Sequence, residues 1–141
     1  MTSITATTFG TTASSTRPAV WRPTVVAGLA AAAVTSALAA ALHAAGVSFE
    51  IDGEPIPIAG FANMVLMCVA AGYVVALGIR RFAADPRRTF VRAAVALTAL
   101  SVVPDLTFPM SVDTRVSLAA LHLVAAAIVI PAMARALGER R

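Results

Sequence analysis

The sequence predicts an all-α membrane protein, a bundle of four transmembrane helices with a short extracytoplasmic β-hairpin-like loop between helices 1 and 2. Three observations support this: four long apolar stretches, a composition of 59% hydrophobic and 13% charged residues, and the position of ten of the eleven arginines in alternate gaps. A membrane-spanning helix needs about 20 mostly apolar residues. An average soluble domain has roughly 25% charged residues, so a soluble core of this size would not hide so much apolar surface.

Each predicted span follows from its length and its flanks. The spans cover about residues 24–47, 58–79, 90–108 and 116–134, which gives a membrane domain over residues 23–137. The first span exceeds the apolar region of a secretory signal peptide, which has about 7–15 residues, so we expect it to stay uncleaved. Residues 1–22, rich in Thr, Ser and Ala, predict a disordered cytoplasmic tail, and residues 138–141 predict a basic cytoplasmic tail.

The first span is mostly alanine, and small residues recur in it every fourth position. They are Gly28, Ala32, Ser36, Ala40 and Ala44. Positions four apart share a helix face, and small residues allow membrane helices to approach closely. We therefore expect this face to pack against the other helices.

The segment between the first two spans predicts a short hairpin. Apolar and polar residues alternate from Val47 to Asp52, which is the period of a β-strand. Asp52-Gly53 is a turn signal, and the residues before Pro55 and Pro57 favour extended backbone. A hairpin lying over the outer end of the bundle fits this pattern.

The arginines predict the orientation of the bundle. Lysine is absent from the chain. Ten of the eleven arginines lie before the first span, around the junction of the second and third spans, or after the fourth span. Arg115 is the exception. Cytoplasmic segments of membrane proteins are enriched in Lys and Arg. Both termini and a basic loop over residues 80–89 are therefore predicted to be cytoplasmic, and the hairpin and a loop over residues 104–115 to lie outside the cell membrane.

Three short motifs carry a resemblance. They are the run from Gly53 to Pro57 followed by Gly60-Phe61, the segment from Arg87 to Arg92, and the segment from Leu121 to Ala126. Together they resemble an uncharacterised family, a domain of unknown function, of small four-span actinobacterial-type integral membrane proteins. The resemblance covers about residues 20–137. It implies four helices in a bacterial plasma membrane and brings no known activity or cofactor.

Four polar residues near the predicted outer ends of the spans form the candidate site. They are His43, Asn63, Asp105 and His122. Ionisable groups inside membrane spans are rare and costly, so they are the first candidates for function. Converging near the extracytoplasmic face, they would form the polar pocket that a small ligand needs. Thr98 and Ser101 share one face of the third helix with Asp105.

Structural roles compete with a pocket for the same residues. A histidine near a helix end can reach the interface or donate to a carbonyl, and Asp105 can be a solvated helix terminus. A metal or proton site is a third reading, but two histidines and a carboxylate are a minimal ligand set for zinc. We predict no metal and no cofactor. The acidic residues Glu50, Asp52 and Glu54 lack calcium-loop spacing and predict a solvated hairpin surface.

Composition and motifs disfavour several function classes. The net charge of +4 comes from arginines at span ends, where lipid headgroups account for it, so nucleic-acid binding is not predicted. A single cysteine, Cys68, excludes an intramolecular disulfide. The chain contains no Gly-rich phosphate loop, nucleophile elbow, metalloprotease His pair or Cys-x-x-Cys.

The leading interpretation is a multi-pass membrane protein with a structural or interaction role and no catalysis of its own. Its partners would be the lipid bilayer and either a second copy or another membrane protein. The alternative is a small-molecule-binding membrane enzyme or carrier with a pocket near the extracytoplasmic face. A small channel is third, because no span carries a continuous polar stripe.

Overall fold

Four long α-helices make up most of residues 20–138, the part of the chain that the computed structural model describes. They are α1 (Trp21–Ala44), α2 (Ile58–Phe82), α3 (Pro86–Thr107) and α4 (Val112–Gly138). Strands β1 (Glu50–Ile51) and β2 (Glu54–Pro55) form an antiparallel hairpin between α1 and α2. All four helices are long and apolar enough to cross a membrane, which is the architecture of a multi-pass membrane protein. The predicted four-helix bundle and its hairpin are confirmed, while most of the predicted tails, residues 1–19 and 139–141, lies outside the described residues.

Two apolar clusters join the helices at opposite ends of the bundle. At the arginine end, where α1 and α3 begin and α2 and α4 end, the buried members are Val20, Ala76, Phe90, Met133, Ala134 and Leu137. At the hairpin end they are Ala39, Phe49, Phe61, Leu118 and Leu121. Successive helices therefore run antiparallel. The helix α4 packs along both α1 and α3, and α2 packs mainly on α1.

The middle of α1 approaches its neighbours closely because its buried side chains are small. A Cβ atom added to Gly28 would lie 3.0 Å from Val69 Cγ1 of α2. Membrane helices associate through such close backbone approach, since lipid tails are as apolar as the side chains they would replace. Gly28 therefore sets the separation of α1 and α2.

The predicted small-residue face is only half buried. Gly28 and Ala32 are buried and Ser36 is half-buried, but Ala40 and Ala44 are exposed. The stripe that stays buried has the same four-residue spacing but runs from Ala27 to Ala39, one position earlier in the chain. One residue corresponds to about 100° around the helix axis, so the predicted stripe lies at the edge of the buried face.

The predicted basic loop over residues 80–89 is shorter in the structure, where only residues 83–85 are non-helical. Asp85 explains where α3 begins, because its Oδ1 accepts a hydrogen bond from the Arg88 backbone N–H at 3.1 Å. Pro86 follows at the first helical position, where its missing N–H has no cost. The arginines on either side therefore belong to the ends of α2 and α3.

The hairpin is anchored to the bundle by an aromatic side chain. Its turn residues Asp52 and Gly53 have φ values of 53° and 81°, the left-handed backbone of a tight two-residue hairpin turn. Phe49, 1% exposed, packs edge-to-face on Phe61 of α2 with ring centroids 5.1 Å apart. The Asp52 N–H also donates to the Pro109 carbonyl at 3.2 Å, which ties the hairpin to the α3–α4 connection.

We expect Gly28→Leu to lower the thermal unfolding temperature in detergent, because overpacking commonly costs about 1–3 kcal/mol. The matched control is Gly78→Leu on α2, where nothing lies within 4 Å of an added Cβ. This control should unfold at the wild-type temperature or slightly above it, since leucine favours helix over glycine. Equal unfolding temperatures for the two variants would show that Gly28 does not set the helix separation.

Candidate functional site

Asp105 and His122 meet at the hairpin end of α3 and α4. The Asp105 Oδ2 atom lies 3.2 Å from His122 Nδ1. Asp105 is 7% exposed, although it is only two residues from the end of α3. The His122 side chain is 33% exposed. The structure thus brings two of the four predicted site residues into direct contact.

The His122 ring has a defined proton position. Its Nδ1 lies 2.9 Å from the Leu118 carbonyl one turn earlier in α4, besides its approach to Asp105. Both neighbours are acceptors, so Nδ1 carries the proton and Nε2 keeps its lone pair in the neutral ring. The N–H is aligned with the Leu118 carbonyl, and Asp105 Oδ2 has no aligned hydrogen bond of its own among the described residues. A buried carboxylate oxygen therefore faces a ring that is already anchored to the backbone.

Arg115 joins this pair from the α4 side. Its Nε–H donates to the Asp105 backbone carbonyl at 3.1 Å, which links the last turn of α3 to the first turn of α4. A cation at the C-terminal end of a helix also interacts favourably with the exposed carbonyls there. In the sequence, Arg115 stands out only as the exception to the charge pattern. Its position ten residues after Asp105, at the same predicted end of the bundle, was the signal that could have identified it.

The start of α4 holds Arg115 in place. Ser111 Oγ accepts a hydrogen bond from the Thr114 N–H at 3.2 Å and lies 3.0 Å from Thr114 Oγ1. This is the arrangement of a serine helix cap, which satisfies a backbone N–H that would otherwise lack a partner. Thr114 is fully buried, so the first turn of α4 is fixed next to Asp105 and Arg115.

The other two predicted site residues have different surroundings. His43 is exposed, and its Nδ1 lies 3.0 Å from the Val47 carbonyl, so it donates to the chain that leaves α1. Asn63 is exposed on α2. Within residues 20–138, neither forms a hydrogen bond or ion pair with Asp105 or His122. The pocket built on all four residues stays a prediction, and the geometry joins only the Asp105–His122 pair.

The hydroxyl groups predicted to share a face with Asp105 bond to their own helix. Thr98 Oγ1 donates to the Ala94 carbonyl at 2.9 Å, and Ser101 Oγ donates to the Thr98 carbonyl at 2.7 Å. Both side chains are half-buried. Their hydrogen-bonding capacity is used within α3, as is common for hydroxyl side chains in membrane helices.

An apolar groove lies between α3 and α4. It has a volume of about 380 Å³, and its lining includes Thr98, Val102, Leu123, Ala126 and Pro131 but no ionisable side chain. The groove therefore fits a hydrocarbon chain better than a polar ligand. Asp105 and His122 are not among its lining residues.

Metal binding has little support in the described part of the chain. Residues 20–138 contain no group of three or more His, Cys, Asp or Glu side chains that could hold an ion. The Asp105–His122 pair supplies two ligand atoms, whereas zinc sites use three or four protein ligands. The acidic hairpin residues Glu50, Asp52 and Glu54 are all exposed. What the pair offers chemically is an imidazole anchored through Nδ1, with its Nε2 lone pair free, beside a buried carboxylate.

Comparison with known proteins identifies a family and assigns no activity. No curated protein and no solved structure matches the chain. The model of one protein family, described as a family of unknown function, matches residues 15–139. This match includes all four helices and the hairpin, so the chain belongs to the family of unknown function DUF6069.

Proposed function

We propose that the protein is a structural or interaction component of the membrane, which acts through helix association and not through chemistry. The observation that carries this proposal is the use of polar side chains inside the helices. Hydroxyl groups of α1 and α3 donate to carbonyls of their own helix, as Thr24, Thr35 and Thr98 illustrate at 2.7–2.9 Å. These hydroxyl protons are used within the helical segment that carries them and are not offered to a substrate.

The contact surface in this proposal is α2. Of its 25 residues only Phe61, Val69 and Ala76 are buried, and it packs mainly against α1. Its open surface includes the flexible side chains of Met64 and Met67, which adapt readily to a partner. A second copy of the chain is the proposed partner, because symmetric dimers are the commonest oligomers.

Cysteine cross-linking in native membranes tests this contact. Cys68 is the only cysteine in the chain and is exposed on α2. If α2 faces a second copy, mild oxidation should produce a disulfide-linked dimer on a non-reducing gel. The proposal is wrong if no dimer forms at Cys68.

The matched control moves the cysteine to α4. The double variant Cys68→Ala/Leu123→Cys places the thiol at a position that is also exposed and similarly far from the hairpin end. We expect much less dimer from this variant. Equal yields from both positions would indicate random collision in the bilayer and would contradict a specific α2 interface.

We also propose that the arginine end faces the cytoplasm of a bacterial cell and that the hairpin lies outside. The support is the charge asymmetry between the two ends of the bundle. Arg22, Arg81, Arg88 and Arg135 lie in the helix turns at one end, whereas Arg115 lies at the other. Positive charge is retained on the cytoplasmic side during insertion.

A reporter that is active only in the cytoplasm tests the orientation. Inserted next to Asp85 in the α2–α3 connection, it should be active, and inserted at Asp52 in the hairpin turn, it should be silent. Fusion after Arg141 should give the same result as insertion at Asp85. Activity at Asp52 would reverse the proposed orientation.

A second candidate function is the binding or proton-dependent handling of a small molecule near the hairpin end. The specific observation in its favour is the buried Asp105 carboxylate 3.2 Å from His122 Nδ1, a pair that costs free energy to place in a membrane. In this reading the free Nε2 of His122 takes up or releases a proton.

The variant His122→Gln separates this function from a structural role. Glutamine can still donate to a carbonyl but cannot exchange a proton, and interhelical hydrogen bonds in membrane proteins average only about 0.6 kcal/mol. The second candidate predicts a folded, membrane-inserted His122→Gln protein that fails to complement a deletion strain. His43→Gln is the matched control and should complement. Full complementation by both variants would leave His122 with a structural role only.

A further inference from the structure

Three arginines surround one hollow at the arginine end of the bundle. The hollow has a volume of about 460 Å³ and is lined by Asp85, Arg87, Arg88, Val91 and Arg92. The three arginines are exposed, and none forms an ion pair with a carboxylate among residues 20–138. Like charges that line one hollow repel each other, and a bound anion relieves this repulsion.

The geometry of α3 places these cations on neighbouring faces. Arg88 and Arg92 are four residues apart and therefore project from the same face. The stem of Arg87 lies against the end of α4, where a Cβ added to Gly138 would be 2.9 Å from Arg87 Cδ. The hollow thus combines two adjacent guanidinium groups with a third that α4 holds in position.

The hollow also has an apolar continuation. Val91 lines it, and Val95 lies one turn further along α3 with its side chain exposed. The opposing charge is Asp85, whose Oδ1 accepts the hydrogen bond that caps α3. Positive charge at a helix end beside an exposed apolar helix face matches the two parts of a phospholipid, its headgroup and its chains.

We propose that this hollow binds the phosphodiester group of an anionic lipid, with Arg88 and Arg92 as its main ligands. A guanidinium group binds phosphate oxygens through two parallel N–H donors. The amino-terminal end of α3 adds partial positive charge to the same place. Inorganic phosphate shares the headgroup chemistry but has no acyl chain to lie along Val91 and Val95. The site does not depend on the orientation of the bundle, because it lies at headgroup depth in either case.

Native mass spectrometry of the detergent-solubilised full chain tests the site, with phosphatidylglycerol as the probe and phosphatidylcholine as the neutral reference. The wild type should retain phosphatidylglycerol preferentially. Arg88→Gln/Arg92→Gln should weaken this retention by roughly tenfold or more, since each arginine near a membrane surface contributes measurably to anionic lipid binding.

The matched control is Arg22→Gln/Arg81→Gln, which removes the same charge from the same end of the bundle. These two arginines stack on their own aromatic neighbours, with guanidinium carbons 5.7 Å from the Trp21 ring centroid and 5.9 Å from that of Phe82. The control should keep wild-type lipid retention. Equal losses in the two double variants would mean that only total charge matters and would overturn the site.

Asp85→Asn should change lipid binding in the opposite direction, toward tighter binding, which a misfolded protein would not do. Asparagine preserves the helix cap but removes the negative charge from the hollow, so phosphatidylglycerol should bind several-fold more tightly. Unchanged or weaker binding would contradict the proposal. Millimolar inorganic phosphate should not displace the lipid, and its displacement would assign the hollow to a free phosphate instead.

Discussion

A bilayer offers no water to the polar groups inside it, and the structure follows from how the chain satisfies these groups internally. Hydroxyl side chains of α1 and α3 donate hydrogen bonds to carbonyls in the preceding turn of the same helix. His122 does the same through the Leu118 carbonyl, and Arg115 uses the carbonyl of Asp105. The interior that remains is mainly apolar, although Ser36 Oγ is buried there without a hydrogen-bond partner among the described residues. Polar chemistry is therefore concentrated at the two ends of the bundle, where helices begin and stop.

The two ends of the bundle differ in the interactions that hold the helices together there. At the hairpin end, side chains from α3 and α4 bond across the helix boundary, and Phe49 closes the bundle over Phe61. At the arginine end, the apolar cluster around Met133 lies beneath exposed cations. Between them the small residues of α1 hold the helices close together. The helices α2 and α3 share less in this packing than α1 and α4, and most of the α2 surface is left available to lipid or to a partner.

Patterns that repeat along the chain were predictable from sequence, and single contacts were not. Length and apolarity predicted the four helices, and Asp52-Gly53 predicted the hairpin turn. The contact between Asp105 and His122 depends on how α3 and α4 pack, and sequence alone allowed only the expectation that polar groups lie at similar depth. His43 donates a hydrogen bond to the nearby Val47 carbonyl, and this local bond competes with an orientation of the ring toward the other predicted site residues. The predicted stripe of α1 is exposed beyond Ser36 because the buried face is centred one position earlier, and alanine occupies both stripes, so spacing alone did not identify the buried one.

The contacts of Asp105 have a consequence for how the chain enters the membrane during synthesis. The helix α3 is the least apolar of the four candidate spans, and Asp105 lies in its last turn. A charged aspartate costs about 2.5–3.5 kcal/mol at the centre of a membrane helix on insertion scales, and less toward the helix end. The two contacts of Asp105 with another helix, from His122 Nδ1 to its carboxylate and from Arg115 Nε to its backbone carbonyl, both come from α4, and only four residues separate the two helices. We therefore expect α3 to insert stably only as a pair with α4.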